Sequence, residues 1–415
     1  MMEKQTKIGT IPEGWKVKKL KEVFHINELS LPSNTDANYK FKYIPIEFVS
    51  TNHIDYGNCE SFRFVDAPGR ARRIVRENDI LISGVRPNLK SFAVFKKPDD
   101  SNWICSTGFY VLTAKEESDN LFSYYELLSE IGESQFYSYV AGSNYPAIGD
   151  GDIRNMKLMF PKDKSEQSAI AAILSKVDEA IAAVQASISA AERLKKSLMQ
   201  NLLTGRMKPD GTLRKEDEFY VDEKFGKVPL GWEVKKVSEI AENLDNLRKP
   251  IKSIDRDKIK GKIPYYGAAG IVDYINDYLF DGTYLLFGED GENLLSRKLP
   301  QAFIVKGKFW VNNHAHILRV YDEFDINLIV NILESKKYDN IVYGSAQPKI
   351  NKSDLNRIKI IIPKDIDEQK RISKSITTID IEISTKQNKI AVLERLKKSL
   401  MQNLLTGRVR ILLNK

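Results

Sequence analysis

Apolar residues recur at Ile170, Leu174, Val177, Ile181, Val184, Ile188 and Ala191, in steps of four and three. That spacing is a heptad, and it predicts a long helix from Ser165 to Leu203 with one apolar seam. The same pattern returns at Ile372, Ile376, Ile379, Ile383, Ile390 and Leu393, with Lys386 standing where the first copy has Val184. A second helix is therefore expected from about Asp367 to Leu405, and a lysine in a seam costs stability while fixing register. At its end the first helix shifts register to Leu194, Leu198 and Leu202, and Gly205 is placed to cap it in a left-handed conformation. About forty residues at about 1.5 Å each make a rod on the order of 60 Å. Two such rods in one chain either pack on each other or each on a separate partner.

Ahead of each rod the period changes. YKFKYIPIEFVS, DILISGV, SFAVF and GFYVLTA are short, β-branched or aromatic runs bounded by Gly, Pro, Asn or Asp, and they read as strands. LFSYYELLSE, from Leu121, reads as a helix. In the second half IPYYGAAGIVDYI, DGTYLLFGEDGENL and AFIVKGKFWVNNHAHILRV read as strands with a glycine turn, and DINLIVNIL as a closing helix. The expected fold class is α/β (α+β).

The two halves are copies of one unit. ERLKKSLMQNLLTGR runs from Glu192 to Arg206 and again, unchanged, from Glu394 to Arg408. IPEGWKVKKL at 11–20 is echoed by VPLGWEVKKV at 228–237, and PKD follows a strand at 161–163 and at 363–365. The repeat predicts a pseudo-twofold molecule of two similar domains and two antiparallel helices. The expected division is a first domain at 1–160, a central helix at 161–206, a polar linker at 207–227, a second domain at 228–363, a second helix at 364–408 and a tail at 409–415. Residues 1–10 are expected to be a frayed arm, and Trp15 and Trp232 to be core anchors.

Composition narrows the class. No run of eighteen apolar residues exists, so no membrane span is expected, and the start has no apolar targeting core. Cys59 and Cys105 are the only cysteines of 415 residues, which suggests a reducing compartment and buried, inert thiols. A formal net charge of +8 favours a polyanionic partner.

That charge is clustered. Residues 61–76 carry Arg63, Arg70, Arg72, Arg73 and Arg76 against one acid, and GVRPNLK at 84–90 sets Arg86, Asn88 and Lys90 on a turn behind a strand. Arginine on a rigid turn reaches phosphates or guanine edges, although any one surface arginine is as readily only solvated. In the second half residues 246–262 hold seven basic and two acidic residues, among them Arg248, Lys249, Lys252 and Lys262. Tyr266, Arg297 and Lys298 complete the candidates in its middle. GSNYP at 142–146 and GSAQP at 344–348 keep a frame while Asn144, Tyr145 and Gln347 vary, with Lys349 following; ligand-facing residues and a tolerant surface loop both fit. His314 and His316 lie two apart on a strand and read as framework residues rather than metal ligands. No phosphate loop, dinucleotide loop, amino-methyltransferase motif or nuclease-like site is present. The leucines of the repeated segment (Leu194, Leu198, Leu202 and Leu396, Leu400, Leu404) are expected to leave an apolar remainder for a protein partner.

These features resemble the specificity subunit of a type I restriction–modification system. The duplicated Gly-Trp openings, the paired LKKSLMQNLLTG helices, DILISGVRPNLK with CSTGFYVL, and GKFWVNNHAHIL carry the resemblance over the whole chain. It implies a non-catalytic, cytoplasmic protein whose two target-recognition domains read the halves of a bipartite asymmetric DNA sequence. It implies helices that set the unread spacer, and a scaffold for two modification (methyltransferase) and two restriction (helicase–nuclease) subunits. S-adenosylmethionine, ATP and Mg2+ would then belong to those partners. The competing classes are a stand-alone DNA-modifying enzyme, for which the motifs are missing, and a coiled-coil adaptor, which would not need two dissimilar basic blocks.

Overall fold

The computed structural model describes residues 3–6, 8–140, 146–338, 341–342 and 348–411. Asn144, Tyr145 and Gln347 therefore lie outside the described residues. The chain forms two compact units, one of Met1–Gln185 with Asn388–Lys415 and one of Ala186–Gln387. The boundaries cut through both long helices, Lys164–Leu202 and Ile366–Leu404, each of 39 residues. Each unit thus holds the first half of one helix and the last half of the other. None of the helices among the described residues is long and apolar enough to cross a membrane.

The first unit opens with a hairpin, Glu3–Thr6 against Gly9–Pro12, where a frayed arm was expected. Trp15–Lys19 then pairs antiparallel with Lys157–Pro161, Trp15 opposite Pro161. Two four-stranded sheets follow. One runs Phe92–Val94, Ile80–Ser83, Phe109–Ala114, Phe24–Ile26; the other runs Ser61–Arg63, Lys40–Ile44, Trp103–Ser106, Ala71–Ile74. The helix Asn120–Leu128 starts where the Asp119 side chain accepts the Phe122 amide proton. Trp15 is buried as an anchor, and the core gathers Leu20, Ile82, Leu112, Phe122 and Phe160 with Ile170 and Leu174 of the first long helix.

The second unit repeats this frame. Its hairpin is Phe219–Asp222 with Gly226–Pro229, so the expected linker at 207–227 is largely folded. Arg214 of that segment donates to the Gly205 carbonyl and to Glu368. Trp232–Lys236 pairs with Lys359–Pro363 in the register of the first unit, Trp232 opposite Pro363. The middle differs: one six-stranded sheet in the order Ala241–Asn243, Ala315–Val320, Phe280–Gly288, Ala302–Val311, Lys260–Gly267, Gly270–Ile275. The closing helix Ile326–Ser335 starts on Asp325 as its counterpart starts on Asp119.

Within each unit the two helix halves run antiparallel. In the first, Asp178 meets Lys397 at 2.6 Å and Glu166 meets Arg410 at 2.5 Å, so one number rises as the other falls. In the second, Asp380 meets Lys195 at 2.6 Å and Glu368 meets Arg214. Leu404 and Leu405 complete the first core, and Leu202 and Leu203 the second, beside Ile372 and Ile376. Full burial of such a side chain is worth about 1.5–3 kcal/mol, which is why compactness follows the packed helix ends rather than the chain order. Gly205 and Gly407 are both left-handed (φ +66 and +67), as the caps require, and stand against Pro229 and Pro12. Cys59 and Cys105 are free and buried, and burial pushes the Cys59 thiol up to about 11.

Candidate nucleic-acid interface

In the first unit several strands end at one place. Ser83 pairs with Phe109, the Gly84 amide donates to the Gly108 carbonyl at 2.8 Å, and the Thr107 amide donates to the Arg70 carbonyl at 2.8 Å. The turn after Ser83 is clipped to the segment entering the last framework helix. Arg86 N–H donates to Pro146, Ile148 N–H to Gly84, and Val85 bridges Ala147. A short 3-10 turn, Pro87–Leu89, follows, flanked by Arg86 and Lys90 in left-handed conformations (φ 48 and 49). Arg70, Arg86 and Asn88 are exposed at this end.

The other predicted arginines are spread along their strands. Arg63 sits at the opposite end of its sheet, beside Lys40, with its guanidinium 2.7 Å from Asp66. Arg76 lies at the far end of the Ala71–Ile74 strand and pairs loosely with Glu28 at 3.7 Å. Arg72 stacks over Phe64 and Arg73 donates to Ser30, both half-buried. Arg63 and Arg76 thus lie away from the Ser83 turn, whereas Arg73 is near enough to act on the Tyr110 hydroxyl, which donates to the Ile148 carbonyl at 2.9 Å. Lys90 is tied by a 3.0 Å ion pair to Glu133.

The second unit builds the same end from a different sequence. Gly288 pairs with Ala315, and the Gly288 amide donates to Gln301. The clip is reproduced bond for bond: Asp290 bridges Lys349, the Ile350 amide donates to Glu289, and the Gly291 amide donates to Pro348. A short helix, Asn293–Ser296, ends on the left-handed Arg297 (φ 52). The turn after Gly267 reaches the same place, since a Cβ on Gly288 would lie 2.6 Å from the Ala268 carbonyl. Asn312 donates its amide to Tyr266, and His314 pairs with Asp290 at 2.8 Å. Tyr266 itself packs on Phe303 and Phe309. Lys298 and Lys349 are exposed here, whereas Lys262 is at the other end of its strand; Lys249 and Lys252 are exposed on the preceding segment. Sequence reading missed Asn312 and Asn313, whose signal was a polar break, VNNHA, between two strands.

Two predicted contacts are corrected by burial. Arg248 donates to Glu289 at 2.6 Å and to the carbonyls of Asn313 and Ala315, and lies 3.4 Å from Asp245, so its guanidinium is spent inside the unit. Arg297 donates to the Glu334 carbonyl and lies over the Tyr338 ring. His316 is fully buried, with Nδ1 at 2.6 Å from Asp245 and Nε2 at 2.8 Å from the Ile350 carbonyl. Asp245, Glu289 and His316 lie close enough to hold a metal ion. However, Arg248 and Lys349 already occupy the Glu289 carboxylate, and both His316 nitrogens are engaged, so the group is a framework crosslink. Burial alone would raise both carboxyls. Hydrogen bonds from His316 to Asp245, and from Lys349 and Arg248 to Glu289, outweigh it and hold both below the usual carboxylate values.

The repeated leucines also divide. Leu202 and Leu404 are core residues (2% and 4% exposed), sequestered by the antiparallel packing and unavailable to a partner. Leu198 and Leu400 are half-buried, while Leu194 and Leu396 stay open at 52% and 46%.

Comparison with known proteins agrees with this geometry. The profile of the type I restriction modification DNA specificity domain matches residues 12–193 and 229–395. The type I restriction enzyme MjaIX specificity subunit of Methanocaldococcus jannaschii is 26% identical over 98% of this chain and 96% of its own length. The S subunit of a type I restriction–modification system from M. genitalium shares the fold, with a TM-score of 0.59 at 17% identity over 97% of this chain and 99% of that one. A chain from a structural study of the assembly and conformational transition of a type I R-M system matches with a TM-score of 0.54 at 19% identity, covering 96% and 99%. With both copies of the repeat matched, the chain belongs to the type I restriction modification DNA specificity family.

Proposed function

We propose that each unit reads one half of a bipartite, asymmetric double-stranded DNA target and that the chain is the non-catalytic specificity subunit of its complex. The observation that carries this is the clip. Three backbone contacts are the same in both units, yet they present GVRPNLK in one and GEDGENLLSR in the other. A common scaffold holding unlike side chains suits two readers of unlike sequences. Exposed Arg70, Arg86 and Asn88 in one unit, and Asn313 and Lys298 in the other, supply phosphate and base-edge partners. The open face of the repeated segment, including Leu194 and Leu396, is offered twice, which suits two copies of a modification subunit. That subunit would bring S-adenosylmethionine, and two restriction subunits would bring ATP and Mg2+ chemistry. The long helices would set the unread spacer.

The test is an exchange of residues 238–350 for the corresponding block of a relative with another target. Methylated positions are then mapped by sequencing the host genome. One half of the methylated motif should change and the other should persist. A motif altered in both halves would defeat the reading of two independent domains.

A further inference from the structure

We infer that Lys90 and Arg297, which read in the sequence as DNA contacts, are positioning residues that lock the two reading loops. This rests on the proposal that the clipped loops face DNA. In each unit the loop after the clip ends on a basic residue in the left-handed conformation, Lys90 (φ 49, ψ 42) or Arg297 (φ 52, ψ 33). L-residues with a Cβ rarely adopt that conformation, so something must hold each one there. In each unit the partner is a helical acid: Glu133 in the first turn of the helix Glu130–Val140, which follows the closing helix, and Glu334 near the end of the closing helix Ile326–Ser335. Lys90 Nζ is 3.0 Å from Glu133. Arg297 is 3.5 Å from the Glu334 carboxylate and 2.7 Å from the Glu334 carbonyl.

The surroundings turn these pairs into anchors. The Lys90 carbonyl accepts from Thr51 Oγ1 at 2.9 Å and from the Phe92 amide at 2.7 Å, so the residue closes the loop onto the sheet. Glu334 also accepts the amides of Gln301 and Ala302, at 2.7 and 2.6 Å, so it ties the loop's exit to the same helix. The two loops share only an Asn-Leu pair (Asn88-Leu89 and Asn293-Leu294) and differ in length, yet each stops at a basic left-handed residue paired with a helix acid. A surface cation meant for phosphate needs no such partner. An acid beside it lowers the local potential that phosphate would feel.

The two roles give opposite signs for the acids. The full chain is used to select from a library of duplexes with random sequence, and affinity for a single random 30-base-pair duplex is measured against salt. Under the positioning role, Glu133→Gln and Lys90→Gln both cut discrimination at the first unit's half-site, by tenfold or more, while the second half-site is unchanged. Affinity for the random duplex and its salt slope stay near wild type. The charge swap, Lys90→Glu with Glu133→Lys, restores part of the discrimination. Arg297→Gln acts in the same way on the second half-site alone.

If Lys90 instead contacts phosphate, Lys90→Gln weakens binding to every duplex and lowers the salt slope by about 0.9. Glu133→Gln then strengthens binding by removing a competing anion, and the swap rescues nothing. That set of results overturns the inference. Lys90→Gly, which tolerates the left-handed conformation, guards against misfolding. It should lose discrimination less than Lys90→Gln if the backbone geometry is what matters, and a loss as large as that of Lys90→Gln in a folded protein counts against the inference. A wild-type chain that selects no two-part motif would refute the proposed function, a result distinct from any of these.

Discussion

Three buried acids respond to pH, one in the opposite direction from the other two. Glu126 is fully buried and neither of its carboxylate oxygens reaches a hydrogen-bond partner. Burial holds its pKa well above the ordinary value. The second unit has Ile332 at the same distance from its helix cap, also buried. Because the folded pKa is raised, Glu126 is tolerated below the ordinary glutamate value of about 4.3 and destabilises progressively as pH rises through the folded value. Glu126→Ile should therefore stabilise the protein by about 1–3 kcal/mol at neutral pH, with a smaller gain near pH 4. Thermal melts across that range check it, and a gain independent of pH would contradict the assignment. Asp245 and Glu289 have lowered values, so their contribution is present above the ordinary carboxylate range and is lost as pH falls through the folded values. Arg248→Met removes a cation from this network. It should cost about 3 kcal/mol in urea unfolding, near the low end for a buried pair because Lys349 remains on Glu289. A variant with unchanged stability but weakened DNA binding would return Arg248 to the interface.

At the scale of elements, the ends of the long helices matter more than their middles. The left-handed caps at Gly205 and Gly407 turn the chain so that Leu202–Leu203 and Leu404–Leu405 enter the two cores. A Cβ at Gly205 would overlap Pro229, and one at Gly407 would overlap Pro12. Gly205→Ala and Gly407→Ala each combine a positive φ with that collision, so each should cost more than about 1 kcal/mol. Calorimetry on both variants would show a lowered transition; an unshifted one would mean that the caps relax freely. The latches beside the caps are related but not identical. Arg214 reaches Glu368 in the second unit, and Arg410 reaches Glu166 in the first; the repeat aligns the two glutamates but not the two arginines.

For the whole molecule, the proposed role of the long helices yields a length rule. Adding one heptad at matched positions in both helices lengthens each by about 10 Å. One base-pair step rises about 3.4 Å. The unread spacer in the methylated motif should grow by two or three base pairs, with some loss of activity from the added rotation. Seven residues added to one helix alone should be worse, because the Lys195–Asp380 and Lys397–Asp178 pairings could not both keep register. An unchanged spacer in an active double insertion would show that the helices do not set the distance.

The sequence alone determined the duplication, the two 39-residue helices, their glycine caps, the tryptophan anchors and the strand-rich middles. Each of these rests on local periodicity or on a repeated string, which needs no knowledge of distant partners. Only the tertiary structure decided which cations are engaged within their own unit. The acids that pair with Arg248, Lys90 and Arg297 stand at 289, 133 and 334, far along the chain. Likewise Leu202 and Leu194 occupy the same predicted stripe, and only the antiparallel packing buries one and leaves the other open. Charge and hydrophobicity are properties of a residue, whereas availability depends on what the fold places against it.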